Sequence, residues 1–116
     1  MNDVTPAALL RAAAEKVRGL AADADREVDT NPYWRSELTE RPGWYANGVR
    51  NGLGGSSGEL AAAMHPGVGA ALAAWLEHTA GLVESVARQR PDAATPDAEW
   101  LAPALAVARQ IAGSES

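Results

Sequence analysis

The sequence predicts an all-α fold: a small bundle of three main helices plus one short helix, with a long irregular segment rich in glycine and tryptophan at about residues 30–58. Two observations carry this. Apolar residues recur at steps of three and four along separate stretches, the period of a helix buried on one side. Threonine, serine and proline stand at the starts of those stretches, and proline or glycine at their ends, in the order that helix caps require. The 116 residues fit a single domain over 1–116, large enough for one core and too small for a cofactor domain beside a substrate domain.

The first helix is expected to start at Thr5-Pro6, where a hydroxyl can accept from free amides and proline needs no donor. Leu10, Ala13, Val17, Leu20, Ala24 and Val28 then line one side, leaving Arg11, Glu15, Arg18 and Asp25 to water. Asn31-Pro32 ends the pattern, because the residue before proline is pushed out of helical geometry. The next segment holds Pro32, Pro42 and a run of glycines with Tyr33, Trp34, Trp44 and Tyr45. Asn47-Gly48 is a hairpin-turn dipeptide and suggests a small ribbon pairing Trp44 to Ala46 with Val49 to Arg50.

Ser56 and Glu59 have the spacing of a capping box ahead of Leu60 to Met64, which predicts a short helix that His65-Pro66 breaks at a corner. Beyond the corner Val68, Leu72, Trp75, Thr79, Leu82 and Val86 form the stripe of the central helix, widened by Leu76 and Val83. Arg90-Pro91 ends it. Thr95-Pro96-Asp97 repeats the opening start signal, with Pro103 as a second starting point, and Leu101, Ala104, Leu105, Ala108 and Ile111 make the last buried stripe. Trp100 lies at its edge and Gly113 at its stop.

Composition works by exclusion. At 47% hydrophobic and 22% charged, the chain belongs with ordinary globular proteins. Zero cysteines remove disulfides, thiolate metal sites and cysteine nucleophiles. The longest apolar run, Ala70 to Leu76, is far shorter than the ~18 residues of a membrane span. Met1-Asn2-Asp3 lacks the basic region of a secretory signal, so no membrane association and a cytoplasmic home are the expectations. A net charge of -5 opposes the electrostatic attraction behind non-specific nucleic-acid binding.

The corner sequence from Leu60 through Met64-His65-Pro66-Gly67-Val68 to Trp75-Leu76-Glu77 resembles a group of small, uncharacterised helical proteins of actinobacterial phages and prophages. Leu9 to Glu15 matches the opening Leu-Leu-Arg-x-Ala-Ala-Glu helix of that group, and Pro103 to Arg109 its closing Pro-Ala-Leu-Ala-Val-Ala-Arg segment. The chain departs from it in the middle segment, which lacks the group's Thr-Pro-Gly-Pro-Trp stretch. The resemblance implies a phage- or prophage-type accessory protein and brings no established activity.

No grouping of residues supports catalysis, a metal or a cofactor. His65 and His78 would lie about 20 Å apart on one straight helix at 1.5 Å per residue, so His65 is read as a corner cap and His78 as a solvated neighbour of Glu77. Gly52 to Gly58 precedes a helix start but has neither the Lys-Ser/Thr nor the strand of a phosphate loop. Glu15, Glu59, Glu77 and Glu84 read as a solvated face.

What remains is the middle segment, whose Tyr33, Trp34, Arg35, Arg41, Trp44, Tyr45 and Arg50 are the residue types of binding hot spots. They are the candidate binding residues for an unknown protein partner, the alternative for Trp34 and Trp44 being rings folded back as plugs. The small-residue face of helix 66–88 adds a homodimer to the expected partners. Weak nucleic-acid binding by Arg35, Arg41 and Arg50, or a small enzyme using His65 or His78 with Glu59 or Glu77, are the other readings carried forward.

Overall fold

The computed structural model describes residues 5–113, and they are all-α, with no strand among them. Five helices follow in order: α1 Pro6–Thr30, α2 Trp44–Leu53, α3 Gly55–Ala63, α4 Pro66–Gln89 and α5 Ala102–Ala112. Short 3-10 turns occupy Pro32–Trp34, Arg41–Gly43 and Pro91–Ala93. The chain divides into two compact units, one made of the residues up to Arg18 and from Ala71 onward, the other of Gly19–Ala70.

In the first unit α1 begins as expected, with Thr5 Oγ1 accepting the Ala8 amide at 3.1 Å. Ala7, Leu10, Ala13 and Ala14 of α1 are buried with Ala73, Leu76, Ala80 and Val83 of α4 and with Leu101, Ala104, Leu105 and Ala108 around α5. Together with Ala94 that makes thirteen core residues, eight of them alanine, so the helices come close and the few leucines contribute most of the apolar area. On α4 the buried stripe is Ala73, Leu76, Thr79, Ala80 and Val83, whereas Trp75 and Leu82, expected inside, are each 43% exposed. The rest of the expected stripe holds, with Leu76, Thr79 and Val83 buried and Leu72 and Val86 packed against the core, while Ala73 and Ala80 take the places on the core side that Trp75 and Leu82 were expected to fill.

Arg11 ties α1 to α4 with a two-pronged pair to Glu84, at 2.6 and 2.9 Å, while Arg18 reaches Glu77 at 3.5 Å. The last helix starts later than Thr95-Pro96 suggests. Thr95 Oγ1 donates to Asp97 at 2.6 Å and the chain turns until α5, which carries Pro103 in its first turn and ends on Gly113 in the left-handed conformation.

In the second unit the segment expected to be irregular is largely helical. The ribbon suggested by Asn47-Gly48 does not form, because Trp44, Tyr45, Gly48, Val49 and Gly52 stand at helical spacing and make α2 instead. The capping box is not realised either. α3 starts at Gly55 behind Gly54 with no side-chain cap, Ser56 and Ser57 lie exposed within it, and Glu59 pairs with Arg50. Gly54 and Gly55, at φ of 71° and 57°, turn the chain between the helices in a conformation that side-chain-bearing residues rarely adopt. α2 and α3 then run against each other with Gly58 buried at the Arg50 backbone. The lower half of α1 contributes the buried Val28, but Leu20, placed by periodicity on the buried side, is 60% exposed. The corner after α3 is as predicted, with His65 Nδ1 accepting the Gly67 amide at 3.1 Å just inside α4.

Candidate functional site

The candidate residues lie in the second unit, around the 3-10 turn Pro32–Trp34 and α2. Asn31 caps that turn, its side-chain oxygen accepting the Tyr33 amide at 3.0 Å, which fixes the direction in which two consecutive rings leave the backbone. Trp34 stacks on Tyr45 with centroids 5.3 Å apart and planes 5° apart, and meets Tyr33 edge-on at 5.1 Å and 87°. Both arrangements suit the ring quadrupoles. Beneath Trp34 lies Gly48, where a Cβ would overlap the indole. The Tyr33 hydroxyl donates to the Gly48 carbonyl at 2.7 Å, and Trp34 Nε1 donates to Glu27 at 3.1 Å.

Trp44 closes a second feature. Its Nε1 is shared between the carbonyls of Thr39, at 2.8 Å, and Ser36, at 3.2 Å, while Ser36 Oγ accepts the Leu38 amide at 3.1 Å. A single indole N–H thus pins both ends of a tight turn whose tip, Leu38, is 98% exposed between the exposed Glu37 and Glu40. Both tryptophans are half-buried and hold the segment in shape.

The arginines are mostly engaged within the chain. Arg41 grips Asp29 with two bonds, Nε to Oδ1 at 2.6 Å and Nη2 to Oδ2 at 3.0 Å, and reaches the Asp25 carboxylate at 3.2 Å and its carbonyl at 3.3 Å. Hydrogen bonding to Arg41 holds the Asp29 carboxyl below the usual carboxylate range, and the same bonds push the guanidinium further up, each against the opposing effect of burial. Arg50 Nε reaches Glu59 at 3.1 Å, and Arg35 is exposed.

Of the residues named from sequence, the structure brings Tyr33, Trp34 and Tyr45 into one cluster and sets Trp44 on the neighbouring turn, with Arg41 and Arg50 facing acidic partners. Sequence reasoning missed Leu38, Asp25, Asp29 and Glu27. The two aspartates carry a signal, since a spacing of four puts both on one face of α1, ready for a single arginine. Leu38 carries none, being an isolated apolar residue among polar ones.

The histidine alternatives are not assembled. His65 accepts from its own corner, Glu59 is held by Arg50, Glu77 faces Arg11 and Arg18, and His78 is exposed. Among the described residues no group of three His, Asp or Glu side chains could hold a metal ion. Nor is any described helix long and apolar enough to cross a membrane. Comparison with protein-family models, curated proteins and solved structures finds no match to this chain.

Proposed function

We propose that this chain is a non-enzymatic accessory protein of the phage or prophage type, acting in the cytoplasm by binding another protein through the segment Tyr33 to Arg50. The observation that carries the proposal is Leu38. A leucine exposed over 98% of its surface is ordinary on a floppy loop, but this one sits on a turn fixed at both ends by Trp44, beside a stacked aromatic cluster and a clamped arginine. Such prior ordering removes part of the entropy loss that binding exacts from a loop. Glu37 and Glu40 on either side favour a partner pocket that is apolar at its floor and basic at its rim. The engagement of Arg41 and Arg50 with carboxylates speaks against the nucleic-acid reading, which needs those charges free for phosphate.

Affinity capture from host lysate, with identification by mass spectrometry, tests this. The parent chain is expected to retain a protein that the Leu38→Asp variant loses and that the Leu60→Asp variant, altered at another exposed leucine, keeps. Identical captures by parent and Leu38→Asp, with both folded by circular dichroism, would overturn the proposal.

A further inference from the structure

The outward side of α4 in the first unit is unusual for a solvated helix face. Opposite the buried stripe, the helix presents Ala71, Ala74, Trp75, His78, Gly81, Leu82, Ser85, Arg88 and Gln89, a face with no Asp, Glu or Lys and with its one Arg at the C-terminal end. The positions follow a seven-residue repeat, with Ala71, His78 and Ser85 along one line, Ala74, Gly81 and Arg88 along the next, and Trp75, Leu82 and Gln89 along the third. Trp75 and Leu82 are large and 43% exposed, while a Cβ built on Gly81 would meet nothing within 4 Å, leaving a notch beside them.

From this pattern we infer that α4 pairs with α4 of a second copy, antiparallel, about a two-fold axis through His78. Around that axis, residues equally far before and after His78 face one another. Trp75 then lies over Gly81 of the other copy and Leu82 over Ala74, each contact occurring twice, and Ala71 meets Ser85. Every large side chain thus finds a small one, a match that no parallel arrangement gives, since parallel pairing sets Trp75 against Trp75. Charge also permits a second copy. The acids that flank this face, Glu77 and Glu84, are already paired with Arg11 and Arg18, so like charges are not brought together unscreened across the axis.

The strip is about 27 Å long at 1.5 Å per residue and about 10 Å wide, so its footprint falls below the roughly 800 Å² per partner of a standard interface. The dimer is therefore weak and concentration-dependent.

Sedimentation equilibrium of the full chain, from low micromolar to near-millimolar concentration, is the first test, and a monomer throughout overturns the inference. The second exploits the predicted pairing. Ala74→Leu sets leucine against Leu82 and is expected to weaken association roughly tenfold or more, while the double variant Ala74→Leu with Leu82→Ala exchanges the pair and restores it. Ala74 and Leu82 are both exposed, so the fold tolerates these changes, which circular dichroism verifies. Unchanged association in the single variant, or failure of the double variant to recover, contradicts the antiparallel register. Because the chain has no cysteine, His78→Cys introduces a single thiol, expected to form an intermolecular disulfide much faster than the thiol of Gln89→Cys. Equal rates also contradict the register.

Discussion

Gly48 shows how one residue sets the geometry of the aromatic cluster. Its missing side chain is the space that the Trp34 indole fills, and its carbonyl is the acceptor for the Tyr33 hydroxyl. The indole is stacked on Tyr45 and met edge-on by Tyr33, contacts that resist its swinging away from an added methyl group. Gly48→Ala is expected to destabilise the protein by about 1–3 kcal/mol despite the better helix propensity of alanine, read from urea unfolding. A stabilised variant would show that the stack is not rigid. Asp29 gives a second prediction at this scale. Its folded carboxyl titrates below the unfolded one because Arg41 hydrogen-bonds its charged form, so the pair stabilises above the unfolded pKa, near 4, and the effect is lost as pH falls through the folded value. Thermal unfolding of Arg41→Met should therefore fall short of the parent at neutral pH and converge with it well below pH 4. A gap that persists in acid would assign the effect to packing of the arginine stem.

Among the elements, the alanine content decides where stability is concentrated. With eight alanines among thirteen core positions, the fully buried Leu10, Leu76, Leu101 and Leu105 supply most of the area, and Leu76→Ala is expected to cost about 2–5 kcal/mol, a large share of a small protein's total. A loss under about 1 kcal/mol would mean that the core can collapse into the gap. At the α2–α3 hairpin, Gly58 lies so close to the Arg50 backbone that Gly58→Leu should separate the two helices, with a loss of helical signal that Leu60→Ala, at an exposed position, does not show. The same elements show what sequence reading could reach. The Thr5 start, the His65 corner and the Gly113 stop were legible because caps are local chemistry. The outward turn of Trp75 and Leu82 was not, since periodicity weighted by size cannot tell a core seam from an unpartnered one. α2 was hidden because Asn47-Gly48 reads as a turn when the ring that lies on Gly48 comes from another segment. Within the candidate site, the hot-spot residue types were visible, but the Trp44 bonds to Ser36 and Thr39 that fix Leu38 depend on tertiary geometry.

For the whole molecule, an excess of acidic charge, exposed apolar side chains at separate places and arginines closed onto the chain's own carboxylates fit a protein that works by contact with other proteins. The two proposed contacts are distinguished by their physics. The α4 face is free of acidic side chains and self-matching, whereas the Leu38 turn is a protruding apolar tip bordered by carboxylates. The most direct measurement of the second, on which the functional account rests, is site-specific photo-crosslinking in host cells from a photoreactive residue at position 38 of the full chain. The account predicts a covalent adduct to one discrete protein, absent when the probe stands at the exposed position of Glu99. The same adducts from both positions, or none from position 38, would contradict it.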